Sequence, residues 1–330
     1  MNEKNWKYIK KLPQKDQDLI DQIVELKKSR NVLLLAHNYQ RESVQLIADI
    51  LGDSLAMARS AQKEKDAKYI LVCGVKFMAE TASILNQDKK IIFPEKSSIC
   101  SMAEYVDAEK IKKYKENNPN VPVILYINST AESKTQADVV CTSSNAIIIA
   151  KAMKKEFNSD KIGFSPDKNL GRYVAEKTGI PTDIIPKEGN CYVHNQYNIE
   201  HLNRAKQKLP EGKLLAHPES PKEILDKAHF IGSTSQIIKY TKQHPEIKKI
   251  IIGTENGIVD LLSREYPDKT IIPLCEDAIC KGMKQITLKS ILNALKNLDA
   301  GEYRIKVDKW IADKSIDAIN KMMELSKTIK

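Results

Sequence analysis

Long apolar runs are missing from this chain. No stretch approaches the roughly 18 residues of a membrane span, and the longest resemble Ala146–Ala150 and Ile250–Ile252. The leading MNEKNWKYIKKLPQKDQD has no apolar core of a secretory leader, so a cytoplasmic protein that does not enter a membrane is expected. Arginine is scarce: seven residues (30, 41, 59, 172, 204, 264 and 304) stand among 53 cations. Arginine's planar fork is the usual reader of bases and clamp of phosphates. The lysines are scattered and no basic-aromatic stripe is seen, so the net charge of +10 does not indicate nucleic acid. It fits steering of small anions better. CxxC is absent, which disfavours zinc ribbons, thioredoxin-like chemistry and ferredoxin-type runs. What is present is ordinary for a globular protein: 330 residues, 42% apolar and 29% charged, with length for two or three domains.

The six cysteines lie at 73, 100, 141, 191, 275 and 280. Taken singly, each reads first as a small buried hydrophobe. Their spacing changes that reading. Cys100 to Cys191 is 91 residues and Cys191 to Cys280 is 89. Strand-like runs ending in His37, Asn128 and His217 recur at 91 and 89; Ser54, Ser143 and Ser233, each opening an apolar helical pattern, recur at 89 and 90. Gly74, Ser165 and Gly253 close a second strand, and Pro94, Pro186 and Pro273 a third. Markers sharing one period mean an internal repeat. The chain reads as three copies of strand–helix–strand–helix–strand–loop–Cys, an α/β fold of three homologous Rossmann-like αβα domains with parallel sheets. The expected boundaries are 1–98, 99–188 and 189–282, with helices in 283–330 packing back on the first copy. In this reading 43–63 is a helical stripe interrupted near Gly52, and Trp310 and Ile311 open the buried face of the last helix.

Ligands of parallel α/β sheets sit outside the carboxyl ends of the strands. Those ends carry His37 with Tyr39, Tyr126 with Asn128, and His217 with Glu219. The Ser/Thr clusters sit at helix starts, where they either cap the helix or present hydroxyls and backbone N–H groups to anions. If the copies pack about a pseudo-threefold axis, these edges and the three loop cysteines meet at one central site. Three such cysteines allow two metal readings: zinc with His194 as fourth ligand, or an iron–sulfur cluster whose fourth iron stays open. An open position suits Lewis-acid loss of water.

The runs LLLAHNYQ (33–40), IADILGDSLAMA (47–58), CGVKFMAETASIL (73–85), CSMAE (100–104), YINSTAESKTQADVVCTSSNA (126–146), GNCYVH (189–194), LLAHPES (214–220), GSTSQ (232–236), GTENG (253–257) and CKGMKQITL (280–288) together resemble the quinolinate synthases across nearly the whole chain. The resemblance implies a central [4Fe-4S] cluster held by Cys100, Cys191 and Cys280. Cys275 is the alternative third ligand. It implies condensation of iminoaspartate with dihydroxyacetone phosphate to quinolinate, releasing phosphate and two waters, with functional coupling to L-aspartate oxidase or aspartate dehydrogenase. Carried over by motif, His37, Ser54, Tyr126, Asn128, Ser143, His217, Glu219, Ser233 and Thr234 line the substrate site. Tyr39, Tyr126, His194, His217 and Glu219 are the candidates for proton transfer, with Glu219 as a base whose pKa burial raises. Tyr192, Asn195–Gln196 and Lys281–Gly282 depart from the commoner family pattern. A non-enzymatic metal-dependent sensor and a different hydro-lyase are the competing readings. The lack of a DNA-binding helix pair or an added domain favours the enzyme.

Overall fold

The computed structural model describes residues 5–328. Strands alternate with helices, and among the described residues twelve of the thirteen strands fall into three sets of four. The first set is β1 (Val32–His37), β2 (Ile50–Gly52), β3 (Tyr69–Cys73) and β4 (Lys90–Ile92). The second is β5 (Val123–Tyr126), β6 (Val139–Cys141), β7 (Ile162–Ser165) and β8 (Thr182–Ile184). The third is β9 (Lys213–Ala216), β10 (Phe230–Ile231), β11 (Lys249–Gly253) and β12 (Thr270–Pro273). Each set is a parallel sheet with one strand order: β2-β1-β3-β4, β6-β5-β7-β8 and β10-β9-β11-β12. The sequence pattern of three parallel αβα repeats is what the chain forms.

The central strands are near-continuous apolar runs because helices cover both faces of such sheets. Every residue of β3 and β5 is buried, as is β11 after Lys249. The repeat has four strands rather than three. Its second strand has only two or three residues, too few to leave a period in the sequence. In the first copy it falls inside the expected helical stripe, which is instead a helix Glu42–Ile47, β2, and a helix Ser54–Lys63.

A staple fixes this short strand in every copy. The residue 15 positions after the second or third residue of the first strand or its start both donates to and accepts from it. Asp49 N–H donates to Leu34 O (3.0 Å) while Asp49 Oδ2 accepts from Leu34 N–H (2.8 Å). Asp138 and Val123 make the same pair at 3.1 and 2.7 Å. In the third copy His229 N–H donates to Leu214 O (2.8 Å) and His229 Nδ1 accepts from Leu214 N–H (3.1 Å). Acceptance needs the neutral ring, and burial, helped by Lys213 and Lys206, lowers the His229 pKa. Lys27 and Lys115, from the helices Gln14–Ser29 and Ala108–Asn117, neutralise the two aspartates at 2.9 and 2.7 Å.

By compactness the chain divides into one unit of residues 1–100 and 280–312 and another of 101–279 and 313–330. In the first, β13 (Arg304–Ile305) adds an antiparallel edge to β4, and the helix Leu288–Lys296 packs on Gln14–Ser29. The tail does not belong to that unit alone. In the second unit Ser315 Oγ donates to Ala131 O (3.0 Å), and Asn145 Nδ2 to Ser326 Oγ (2.8 Å). Trp310 is 64% exposed, and the buried face of the last helix starts at Ala312 and Ser315 instead. Among the described residues no helix is long and apolar enough to cross a membrane.

Candidate active site

The loops carrying Cys100, Cys191 and Cys280 are three versions of one turn. The carbonyl two residues before each cysteine accepts from a backbone N–H at the start of the helix that follows the third strand of its own copy, in the first, second and third copies respectively: Lys76 to Ser98 (2.8 Å), Lys168 to Gly189 (2.8 Å) and Asn256 to Ala278 (3.0 Å). The N–H of that same residue donates three positions back, to Glu95, Pro186 and Cys275 respectively. Cys275 therefore stands where the other copies have Glu95 and Pro186, and Cys280 stands where they have cysteine. Cys275 is buried, while Cys100, Cys191 and Cys280 are each half-buried.

Two glycines draw backbone close beside these thiols. A Cβ on Gly189 would lie 2.0 Å from Pro166 O, and one on Gly282 would lie 2.1 Å from Ile99 O. Ser98 Oγ further bonds Gly282 O at 2.9 Å and Gly74 O at 2.7 Å. Gly189→Ala is thus expected to destabilise the protein by roughly 1–3 kcal/mol, the usual cost of forcing a backbone shift in a packed region. A lowered denaturant midpoint checks this. No cysteine forms a disulfide. Cys73 and Cys141, fully buried, have thiols pushed far up by burial, which leaves them inert. Partly open thiols on tight loops are the donors a soft iron or zinc centre takes, and Cys100, Cys191 and Cys280 are each such a thiol.

In the second unit the carboxyl ends of β5 and β9 bring five of the expected residues together. Tyr126 Oη donates to Glu219 Oε1 at 2.5 Å, and His194 Nδ1 lies 2.7 Å from Glu219 Oε2. His217 stacks on His194 with ring centres 4.6 Å apart, and its Nε2 meets Ser143 Oγ at 3.1 Å. Glu219, His217 and His194 are at most 3% exposed. Burial alone would raise the Glu219 acid, but the His217 and His194 rings and hydrogen bonds from His194 and Tyr126 outweigh it and lower the pKa. The expectation of a raised acid is therefore reversed: Glu219 is a carboxylate. Burial lowers His217 to about 3, more than Glu219 pulls it back, so its ring is neutral at pH 7.

The other expected residues lie at strand ends, in the bends beyond them and at helix starts. In the first unit, Tyr39 N–H donates to His37 Nδ1 (3.1 Å), and the two rings meet edge-on at 4.6 Å. The third copy repeats this turn, with Glu219 N–H directed to His217 Nδ1 at 3.4 Å. Of the serines, only Ser233 is an N-cap, in a capping box with Gln236. Ser54 is the first helical residue behind the Asp53 cap, and Ser143 precedes Asn145, which bonds Thr142 N–H at 2.6 Å. Capping thus accounts for Ser233 but not for the other two. Thr234 is buried at the first turn of its helix. Asn128 keeps a buried Oδ1 with no hydrogen-bond partner, an acceptor that a bound donor would satisfy.

Three residues outside the expected set support the cluster. Thr254 Oγ1 meets His194 Nε2 at 2.9 Å, which leaves Nδ1 to face Glu219. Asp167 bonds Leu170 N–H (2.6 Å) and Cys191 N–H (3.0 Å), joining a helix cap to the cysteine loop. Asn169 Nδ2 bonds Asn195 Oδ1 (3.0 Å) and Glu219 O (2.9 Å). Thr254 lies within the GTENG run. Asp167 and Asn169 follow Ser165, one of the period markers, so their place in the repeat was the available signal.

The family described as "Quinolinate synthetase A protein" matches residues 21–324. The chain belongs to this family. It is 45% identical to a quinolinate synthase of Pyrococcus abyssi over 94% of this chain and all of that one. A quinolinate synthase of Thermotoga sp. (strain RQ2) is 44% identical over 93% of this chain and 99% of its own. One of Alkaliphilus metalliredigens is 40% identical over 93% and 98%. As a quinolinate synthase family member the chain is an enzyme, and its motif-bearing residues from four separate runs share the buried cluster described above.

Proposed function

We propose that this enzyme condenses iminoaspartate with dihydroxyacetone phosphate to form quinolinate, releasing phosphate and two waters, in the cytoplasm. The observation that carries the proposal is the meeting of Tyr126, His194, His217 and Glu219 in one buried cluster beside Ser143. Cys100, Cys191 and Cys280 would hold a [4Fe-4S] cluster, their common loop geometry and half-burial supporting that choice over Cys275. When bound, the cluster supplies a Lewis-acidic iron for substrate oxygen or nitrogen.

Glu219, ionised and oriented by two donors, accepts a carbon-bound proton. Its burial keeps water from competing for the role. Tyr126 Oη holds that carboxylate in place and returns a proton to departing oxygen. His217, neutral and fixed by the backbone at Nδ1, presents Nε2 with Ser143 to a substrate carboxylate or phosphate. His194 Nδ1, 2.7 Å from Oε2, holds the other oxygen of the carboxylate. Asn128, Ser233 and Thr234 orient the same anionic groups, and His37, Tyr39 and Ser54 do so from the first copy. Iminoaspartate hydrolyses in water, which favours supply by an L-aspartate oxidase or aspartate dehydrogenase working alongside.

Anaerobic purification tests the reading. A brown, iron-containing protein that forms quinolinate from the two substrates is expected. An active, colourless, iron-free protein would refute the cluster, and an iron-loaded protein that makes no quinolinate would refute the activity.

A further inference from the structure

We infer that the chain without its cluster carries a second metal site, for a single zinc-type divalent ion, made by Cys191 Sγ, His194 Nδ1 and Glu219 Oε2. One ligand atom from each of these residues lies within 4.8 Å of the others. Thiolate, imidazole and carboxylate are the three side-chain ligands zinc accepts, and three protein ligands with an open fourth position form a recognised class of site. The short spacing in sequence, Cys191 and His194 at the two ends of one turn, Tyr192–Asn195 behind its Cys191 cap, lets two ligands share one rigid element.

The outer contacts match what a zinc site needs, because each ligand has a partner on its far side. His194 Nε2 is engaged by Thr254 Oγ1, so Nδ1 is the nitrogen turned toward the site. Glu219 Oε1 is engaged by Tyr126, so Oε2 is the oxygen turned toward it. Asp167 holds the Cys191 backbone N–H. His194 and Glu219 are almost wholly buried while Cys191 is half-buried, so the thiolate side is the path of entry. His194 Nδ1 and Glu219 Oε2, 2.7 Å apart, separate by a few tenths of an ångström when an ion displaces the proton between them.

Cys191 cannot serve this ion and the proposed cluster together, a consequence that rests on the cluster reading although the zinc site does not. Zinc would occupy the base Glu219 as well as a cluster thiol, and the two loaded forms exclude one another. Iron supply and zinc exposure then decide which form the newly made chain enters.

The test uses the full chain, reduced and metal-free, titrated with cobalt(II) as a coloured stand-in and then with zinc as competitor. One equivalent is expected to bind, with tetrahedral ligand-field bands and a thiolate charge-transfer band of one-thiolate strength, bleached by zinc. Cys191→Ser should remove the charge-transfer band, whereas the Cys100→Ser, Cys280→Ser double variant should keep it in full. Thr254→Val leaves all ligands in place and should weaken zinc by about 10–100-fold, the usual cost of a lost outer contact. A band that survives Cys191→Ser, or that vanishes in the double variant, overturns the inference; the second result would point to a three-cysteine site. Unchanged zinc affinity in both Thr254→Val and Glu219→Gln overturns it too, and those variants need no change at the cysteine loop. Quinolinate formation is measured separately, on the iron-loaded unsubstituted protein, so failure of the zinc site and failure of the proposed activity are distinguishable.

Discussion

Glu219→Gln is expected to lower the rate of quinolinate formation by about 10²–10⁴-fold, the range for a positioned acid–base group, with iron content unchanged. The substitution keeps the shape of the side chain and replaces a charge by an amide. Tyr126 can still donate to the amide oxygen, but the amide nitrogen then faces His194, and the side chain itself can no longer take up a proton. Because Glu219 is buried among donors, nothing from solvent replaces it. Tyr126→Phe removes only the donor at Oε1 and should cost less, since His194 still holds Oε2. Near-native turnover by Glu219→Gln would remove the carboxylate from the chemistry and leave it a purely structural partner of two histidines.

The cysteine series has the other large expected effect. Cys100→Ser, Cys191→Ser and Cys280→Ser should each lose the iron absorption of anaerobically prepared protein and with it activity, by more than about a hundredfold, the upper end of what outer contacts alone cost. Cys275→Ser should keep both. The two outcomes separate cysteines only five residues apart. Cys275 is 7% exposed and its carbonyl closes the turn that Glu95 and Pro186 close in the other copies. Cys280 follows the carbonyl that Asn256 binds, as Cys100 and Cys191 follow those bound by Lys76 and Lys168. Iron retained in Cys280→Ser and lost in Cys275→Ser would show that the loop repeat does not mark the ligand.

Much of the buried cluster was legible because ligands of parallel sheets are expected at strand ends and the period pointed to equivalent ends in each copy. Tyr126, His217 and Glu219 were found that way, and His194 through its neighbour Cys191. Thr254, Asp167 and Asn169 were not singled out, since a buried outer contact has no spacing of its own and shows only once its partner's position is known. The sequence left capping open for all three serines, and the structure makes it the role of Ser233 alone, because Asp53 and Asn145 occupy the N-cap positions of the other helices.

By itself the sequence determined the three-fold repeat, the parallel α/β class and the equivalence of Cys100, Cys191 and Cys280, all properties carried by residue order and period. Tertiary structure decided the short second strands, held by backbone pairing to Asp49, Asp138 and His229 rather than by any pattern of apolar residues. It also decided the charge of Glu219. Burial and its neighbours push that carboxyl in opposite directions, and which one wins depends on His217 and His194 first and on Tyr126 after them, groups whose approach is set by packing.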